Sequence, residues 1–208
     1  MMKIHILDKT LEYENNMNAY DKISSYVDDL INKSNLIFSH LIIDGVEIYQ
    51  DYYDYFLDNI KNIEEVTVIT KTIKEMYREI ILSTVDYIER ALPQVEILSN
   101  EFYKTPSKDS WAKLTDLIDG IKWIMDTFMM IDNNKQLKDL VNSYEEWNQY
   151  AKDIYSLKEL LLEFEDVLEN SDYVSIADIL SYELIPLFKE MKEKLEKVAL
   201  EEVEISNA

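Results

Sequence analysis

The spacing of apolar residues along the chain changes near Thr70. Before it, short runs rich in β-branched residues, such as residues 3–7, 36–43 and 66–69, are separated by turn residues and short helical stretches. After it, nearly every segment repeats apolar residues three or four positions apart, the spacing of an amphipathic helix. This pattern predicts an α+β protein, with a small head over residues 1–70 and a helical bundle over residues 71–203. Residues 204–208 are predicted to be a frayed tail.

The head is predicted to contain strand, strand, helix, strand, strand, helix and strand, in that order. A turn at Asp8 and Lys9 is expected to join the first two strands. Asp44 and Gly45 are expected to join the next pair, because these residue types tolerate the positive φ angles of a type I′ turn. The order is that of a β-grasp domain. If residues 9–14 are a loop, the same residues give the ferredoxin-like order instead.

The body is predicted to be a bundle of four or five antiparallel helices joined by short loops. Its first helical pattern keeps its phase through Pro93, which indicates either a kinked helix or a break at Leu92. Ser107 or Asp109 is expected to cap the second helix. Gly120, in the middle of that helix, is expected to mark a close helix crossing. A third pattern runs over residues 137–168, with an interruption expected near residues 147–150.

The final helical pattern crosses Pro186 and contains a regular apolar seam. Spacings of four and three alternate along it, as in a coiled-coil contact, and lysine and glutamate residues surround it. The seam has two possible occupants: the chain's own bundle, or a protein partner or second subunit. The predicted partner-binding residues are Leu184, Phe188, Met191, Leu195 and Val198.

The chain is strongly acidic throughout. Its 208 residues carry 21 basic and 42 acidic side chains, a formal net charge of −21. Residues 1–70 contribute −8 and residues 71–208 contribute −13, so the excess is not confined to a tail. Affinity for nucleic acids depends largely on lysine and arginine at the phosphates, so this charge argues against nucleic-acid binding. It also argues against anionic membrane surfaces. A basic partner is compatible with the charge, which also favours solubility.

The residue types needed for several chemistries are absent. There is no cysteine, which excludes disulfides and thiolate nucleophiles. No phosphate-binding loop, dinucleotide fingerprint or recognisable metal-ligand spacing occurs, and no cofactor is expected. No segment has the pattern of a signal peptide or the length of a membrane span, so the cytoplasm is the expected location.

Three acidic residues are the candidate metal ligands. Glu159, Glu163 and Asp166 share one helical face, but the helical phase places them opposite the apolar stripe. We therefore expect them to point to water.

The histidines and tryptophans are the remaining candidates for a site. His5 and His40 lie on predicted strands with no identifiable catalytic partner, so we expect ordinary sheet residues. Trp111, Trp123 and Trp147 have helical spacing and are expected in the core.

Three scattered features suggest a family. They are the Ile43-Asp44-Gly45 turn, Trp111 together with Trp123, and the stretch from Ala177 to Glu183. In these the chain resembles a group of uncharacterised acidic proteins from low-GC Gram-positive bacteria. That group has no assigned activity, so the resemblance implies no function.

The leading functional hypothesis is a non-enzymatic protein-interaction module, such as an adaptor or a small acidic chaperone. An available sheet edge, the long C-terminal amphipathic helix and the acidic surface favour it. A metal-dependent enzyme that uses helix carboxylates and an architectural, oligomer-forming protein are the alternatives.

Overall fold

The computed structural model describes residues 1–199, which fold into two compact units. The first unit is Met1–Met76, and the second begins at Tyr77. The sequence pattern placed the boundary at residue 70, but the last strand of the sheet continues to Thr72. The predicted tail at residues 204–208 and the predicted end of the bundle at residue 203 lie outside the described residues.

The first unit contains a five-stranded mixed sheet with two helices. Its elements are β1 (Met2–Ile6), β2 (Lys9–Tyr13), α1 (Met17–Lys33), β3 (Leu36–Ile43), β4 (Val46–Ile48), α2 (Tyr52–Asn59) and β5 (Glu65–Thr72). The strand order is β2-β1-β5-β3-β4, with β1 and β5 parallel and the other pairs antiparallel. This is the β-grasp arrangement. The ferredoxin-like alternative is wrong, because residues 9–13 form a strand that pairs with β1.

Side-chain alternation explains the core of this unit. Met2, Ile4 and Ile6 point to one face of β1 and are at most 1 % exposed. Ile23 and Val27 of α1 are buried in the same core as that face. Because successive residues of a strand point to opposite faces, a single register buries all three β1 side chains together.

The structure confirms one of the two predicted hairpin turns and places the other one residue earlier. The first turn consists of Leu7 and Asp8, one position earlier than predicted, and Leu7 adopts a φ of 51°. The second is confirmed at Asp44 and Gly45, with φ angles of 49° and 83°. Oδ1 of Asp44 also accepts hydrogen bonds from the backbone N–H groups of Glu64 (3.0 Å) and Glu65 (2.8 Å). This side chain therefore ties the turn to the start of β5.

The second unit is helical over its described residues, and with the head it confirms the predicted α+β class. Its elements are α3 (Ile73–Phe102), α4 (Lys108–Asp132), α5 (Leu137–Leu140), α6 (Tyr144–Glu169), α7 (Tyr173–Asp178), a π-helical segment (Ile179–Leu184) and α8 (Ile185–Ala199). The first turn of α3 precedes the boundary between the units.

The helix ends of the second unit agree only in part with the local sequence signals. α3 continues through Pro93, so the alternative of a break at Leu92 is wrong. Ser107 caps α4, as one of the two predicted candidates: its hydroxyl accepts from the backbone N–H of Ser110 at 3.1 Å. The predicted interruption near residues 147–150 is wrong. The break lies at residues 141–143, where the Ser143 side chain caps the start of α6.

The predicted partner-binding seam is buried inside the second unit. Phe188 and Met191 are 0 % exposed, and α8 packs against α6. The whole seam has at most 1 % exposure at Leu184, Phe188, Met191, Leu195 and Val198. In the folded unit these side chains are inaccessible to a partner, because the chain's own helices cover them. A partner surface must therefore be sought among other residues.

Candidate protein-binding groove

A proline and a π-helical turn occur together where the π-helical segment passes into α8. Pro186 has no backbone N–H, and its ring crowds the carbonyl four residues earlier. The wider π-turn directly before it supplies room: the backbone N–H of Ile185 donates to the carbonyl of Leu180, five residues back. Such π-segments within helices are frequent at functional sites. This one displays Glu183 on the surface.

A groove of about 380 Å³ lies between α6 and the start of α8. We call it the acidic groove. Its apolar part is formed by Leu160 of α6 with Pro186 and Leu187 of α8. The remaining lining residues are Ser156, Glu159, Glu163, Glu183 and Glu190.

The electrostatics of the acidic groove are one-sided. Four of its eight lining residues are glutamates, and none is lysine, arginine or histidine. Burial raises the pKa of the Glu183 carboxyl, and the negative charge of Glu163 raises it further. Of the four, Glu190 has a cation nearby, with Lys194 Nζ at 3.6 Å from its Oε2. The groove is thus a negative surface with an apolar base.

Large apolar side chains are exposed on the same helical segments. Leu162 of α6 is 57 % exposed, and Tyr182 of the π-helical segment is 73 % exposed. Tyr155, one turn before Glu159 on α6, is 68 % exposed. Tyrosine is enriched in protein interfaces, where its ring gives contact area at low conformational cost.

The three candidate metal ligands point to water, as predicted. Glu159, Glu163 and Asp166 are all exposed on α6. The structure brings Glu159 and Glu163 together at the acidic groove, whereas Asp166 is not among its lining residues. Within residues 1–199, no three histidine, aspartate or glutamate side chains are arranged to hold a metal ion.

Both histidines lie in the sheet of the first unit. In His5 the ring Nδ1 is 3.0 Å from Oγ1 of Thr10, and Nε2 is 2.9 Å from Oε1 of Glu65. The ring of His40 stacks on Tyr49, with centroids 4.5 Å apart. Both are ordinary sheet residues with local partners, as predicted.

The tryptophans do not share one environment. Trp147 is 1 % exposed and stacks on Phe128, with ring centroids 5.3 Å apart. Trp111 is half-buried. The prediction was wrong for Trp123, which is 39 % exposed on α4. Its ring contacts Tyr87 of α3.

The sequence pattern pointed to two of the four glutamates that line the acidic groove. Glu159 and Glu163 stand out in the sequence because they share one helical face. Glu183 and Glu190 were not, because a sequence pattern does not reveal which glutamates of two distant helices meet. A signal was present at Pro186, since a proline inside a helical pattern marks altered backbone geometry where polar side chains can be displayed.

These observations define an acidic protein with a β-grasp head and a helical unit that carries a negatively charged groove. The chain belongs to the family described as Domain of unknown function (DUF8042), whose model matches residues 79–194. This confirms membership of an uncharacterised family. The match lies within the helical unit and includes every lining residue of the acidic groove.

No curated protein and no solved structure matches the chain. Within residues 1–199, no helix is both long and apolar enough to cross a membrane.

Proposed function

We propose that this protein is a protein-interaction module that binds a basic, amphipathic segment of a partner in the acidic groove. One observation carries the proposal: an apolar base with four glutamates around it and no basic lining residue. Such a surface is complementary to a segment in which lysine or arginine residues flank apolar ones. Complementary charge gives specificity and speeds association, and apolar contact adds affinity.

The apolar base gives the segment a place to bury its own apolar side chains. Leu160 is already buried, whereas Leu187 is half-buried and Pro186 is exposed. Contact with a partner removes the remaining apolar surface from water, which is favourable by roughly 25 cal/mol per Å².

The glutamates supply the preference for positive charge. Burial is the larger cause of the raised pKa of Glu183, and repulsion by the carboxylate of Glu163 adds to it. A lysine or arginine of the partner placed between them relieves this repulsion. Because the site is partly open to solvent, each charge pair contributes only about 0.2–1 kcal/mol. Affinity should therefore fall as salt increases.

Fluorescence anisotropy with synthetic helical peptides tests the proposal. The probe repeats lysine and leucine with helical periodicity. One comparison peptide carries glutamate in place of lysine, and another has the same composition in scrambled order. We expect the full-length protein to bind the probe, to reject the glutamate peptide and to bind the scrambled peptide more weakly.

Matched variants separate the groove from the general negative charge. The double variant Glu163→Gln, Glu183→Gln removes two charges from the groove. The control Glu165→Gln, Glu169→Gln removes two from exposed positions of α6 outside it. We expect the groove variant to lose about tenfold in affinity, equivalent to roughly 1.4 kcal/mol, and the control to change much less.

Three results would contradict the proposal. Equal losses in both double variants would mean that the probe responds only to net charge. Equal affinity for the scrambled peptide would exclude a role for the apolar base. A dimer detected by light scattering that dissociates in the groove variant would assign the groove to a second copy of the chain instead.

A further inference from the structure

We propose that a second groove, between α3 and α4, binds a small organic amine with an apolar body. This α3/α4 groove has a volume of about 300 Å³. It is lined by Tyr87, Ala91, Gln94, Val95, Leu98 and Leu117, with Arg90, Lys113 and Asp116 at its polar side. Pockets of this size that combine apolar walls with a few polar groups are typical of small-molecule sites. The site is separate from the acidic groove and does not depend on it.

A close contact between Tyr87 and Gly120 shapes one end of the groove. A methyl group at Gly120 would collide with the hydroxyl and ring of Tyr87. Glycine therefore lets the tyrosine ring lie directly against α4. The close helix crossing expected at Gly120 stays a prediction. The ring also contacts Trp123, with centroids 5.9 Å apart. Tyr87 gives this end of the groove an aromatic surface, which binds cations through its π-electrons.

Beyond Tyr87, part of the α3 wall of the groove is formed by a small residue. Ala91 follows Tyr87 by one helical turn and is half-buried at the groove. Val95 and Leu98 continue the same wall and are 2 % exposed. This surface fits an apolar body such as a single aromatic ring.

The charges around the α3/α4 groove select the head group. Arg90 is paired with Asp86 at 2.8 Å. Lys113 is paired twice, with Glu101 at 2.8 Å and Asp109 at 3.0 Å. Both cations are therefore already matched by carboxylates.

Asp116 is the remaining charge that lines the groove. It has no ion pair among the described residues, and its negative charge adds to the burial that raises the pKa of Tyr87. The groove thus presents one uncompensated carboxylate beside an aromatic ring. A protonated amine is complementary to both, whereas a carboxylate ligand is repelled.

Three ligands that share a phenyl ring and differ in the head group test this assignment. Phenethylamine is cationic, phenethyl alcohol is neutral and hydrocinnamate is anionic. Titrations of the full-length protein, followed by NMR chemical shifts, should place the amine near the backbone amides of Tyr87, Ala91 and Gln94. We expect the amine to bind about two- to fivefold more tightly than the alcohol, the range of an exposed charge pair. Asp116→Asn should remove this preference.

Ala91→Leu fills the groove and should abolish binding of the amine. The matched control is Ala112→Leu, the same exchange at an exposed position of α4 that does not line the groove. The proposal is overturned if none of the three ligands shifts these amides, or if hydrocinnamate binds as tightly as phenethylamine. It is also overturned if folded Ala91→Leu binds the amine normally. Should Ala91→Leu fail to fold, the shifts in the unmodified protein decide the location of the ligand.

Discussion

Asp153 and Lys194 form a buried ion pair between α6 and α8, and removing the lysine charge should strongly destabilise the second unit. Nζ of Lys194 lies 2.7 Å from both carboxylate oxygens of Asp153. Asp153 is only 6 % exposed. The perturbation is Lys194→Met, which keeps the length of the side chain and leaves the carboxylate without its partner.

The magnitude follows from burial. Loss of one partner of a buried pair costs about 3–5 kcal/mol, because the remaining charge is neither hydrated nor paired. The Lys194 side chain is 22 % exposed, so water can reach part of the site, and we expect the lower end, about 3 kcal/mol. With a urea slope near 2 kcal/mol per molar, the unfolding midpoint should fall by about 1.5 M.

Urea unfolding followed by tryptophan fluorescence measures this loss in the second unit alone. All three tryptophans, Trp111, Trp123 and Trp147, belong to that unit. The double variant Asp153→Leu, Lys194→Met is the control. It replaces both charges with apolar groups and should lose less than about 1 kcal/mol.

The pH dependence provides a second check on the same variant. Burial raises the pKa of the Asp153 carboxyl, and Lys194 opposes that rise. Without the lysine, the folded-state pKa lies further above the unfolded value, so the folded unit prefers the protonated acid. The destabilisation should therefore be largest near neutral pH and should shrink as the pH falls through the raised pKa of Asp153. A midpoint unchanged by Lys194→Met, or a double variant as unstable as the single one, would refute the reasoning.

Three further predictions concern single side chains. Leu7→Gly should slow hydrogen exchange of the β1 and β2 amides, because a leucine with φ of 51° costs about 1–2 kcal/mol that glycine avoids; faster exchange would contradict this. Ser107→Ala should lower the stability of the second unit by about 1 kcal/mol in the same fluorescence assay, since it removes the cap of α4. Ser107→Thr, which keeps a hydroxyl at the cap, should retain most of the stability. Tyr103 donates a hydrogen bond to Asp178, which raises the pKa of the tyrosine to about 12. This hydrogen bond should therefore stabilise the folded state below pH 10, and its contribution should disappear between pH 10 and about 12. Tyr103→Phe should abolish this part of the pH dependence of the free energy of unfolding.

Most of the secondary structure could be predicted because its signals are local. Asp44 and Gly45 determine a tight turn whatever surrounds them, since only a few residue types adopt positive φ easily. The alternation at Met2, Ile4 and Ile6 determines which face of β1 is buried. The first hairpin was predicted one residue too late, because the chain turns at Leu7 although leucine disfavours that conformation.

The candidate sites were predicted less well than the elements that carry them. Helical phase correctly placed Glu159 and Glu163 in water, but it could not pair them with Glu183 and Glu190, which lie some twenty or more residues later in the sequence. It also could not choose between a partner and the bundle for the seam that contains Phe188. A helix with an apolar stripe must bury that stripe, and the stripe itself does not specify against what.

The sequence by itself determined the α+β class, the order of the elements in the head, the acidity and the amphipathic faces, because these depend on residue types and on spacings within one segment. Only the tertiary structure decided which faces meet. It buried the C-terminal seam against α6, left Trp123 exposed, and formed the two grooves from residues of different helices. The physical reason is that packing depends on contacts between distant segments, and periodicity within one segment carries no information about its neighbour.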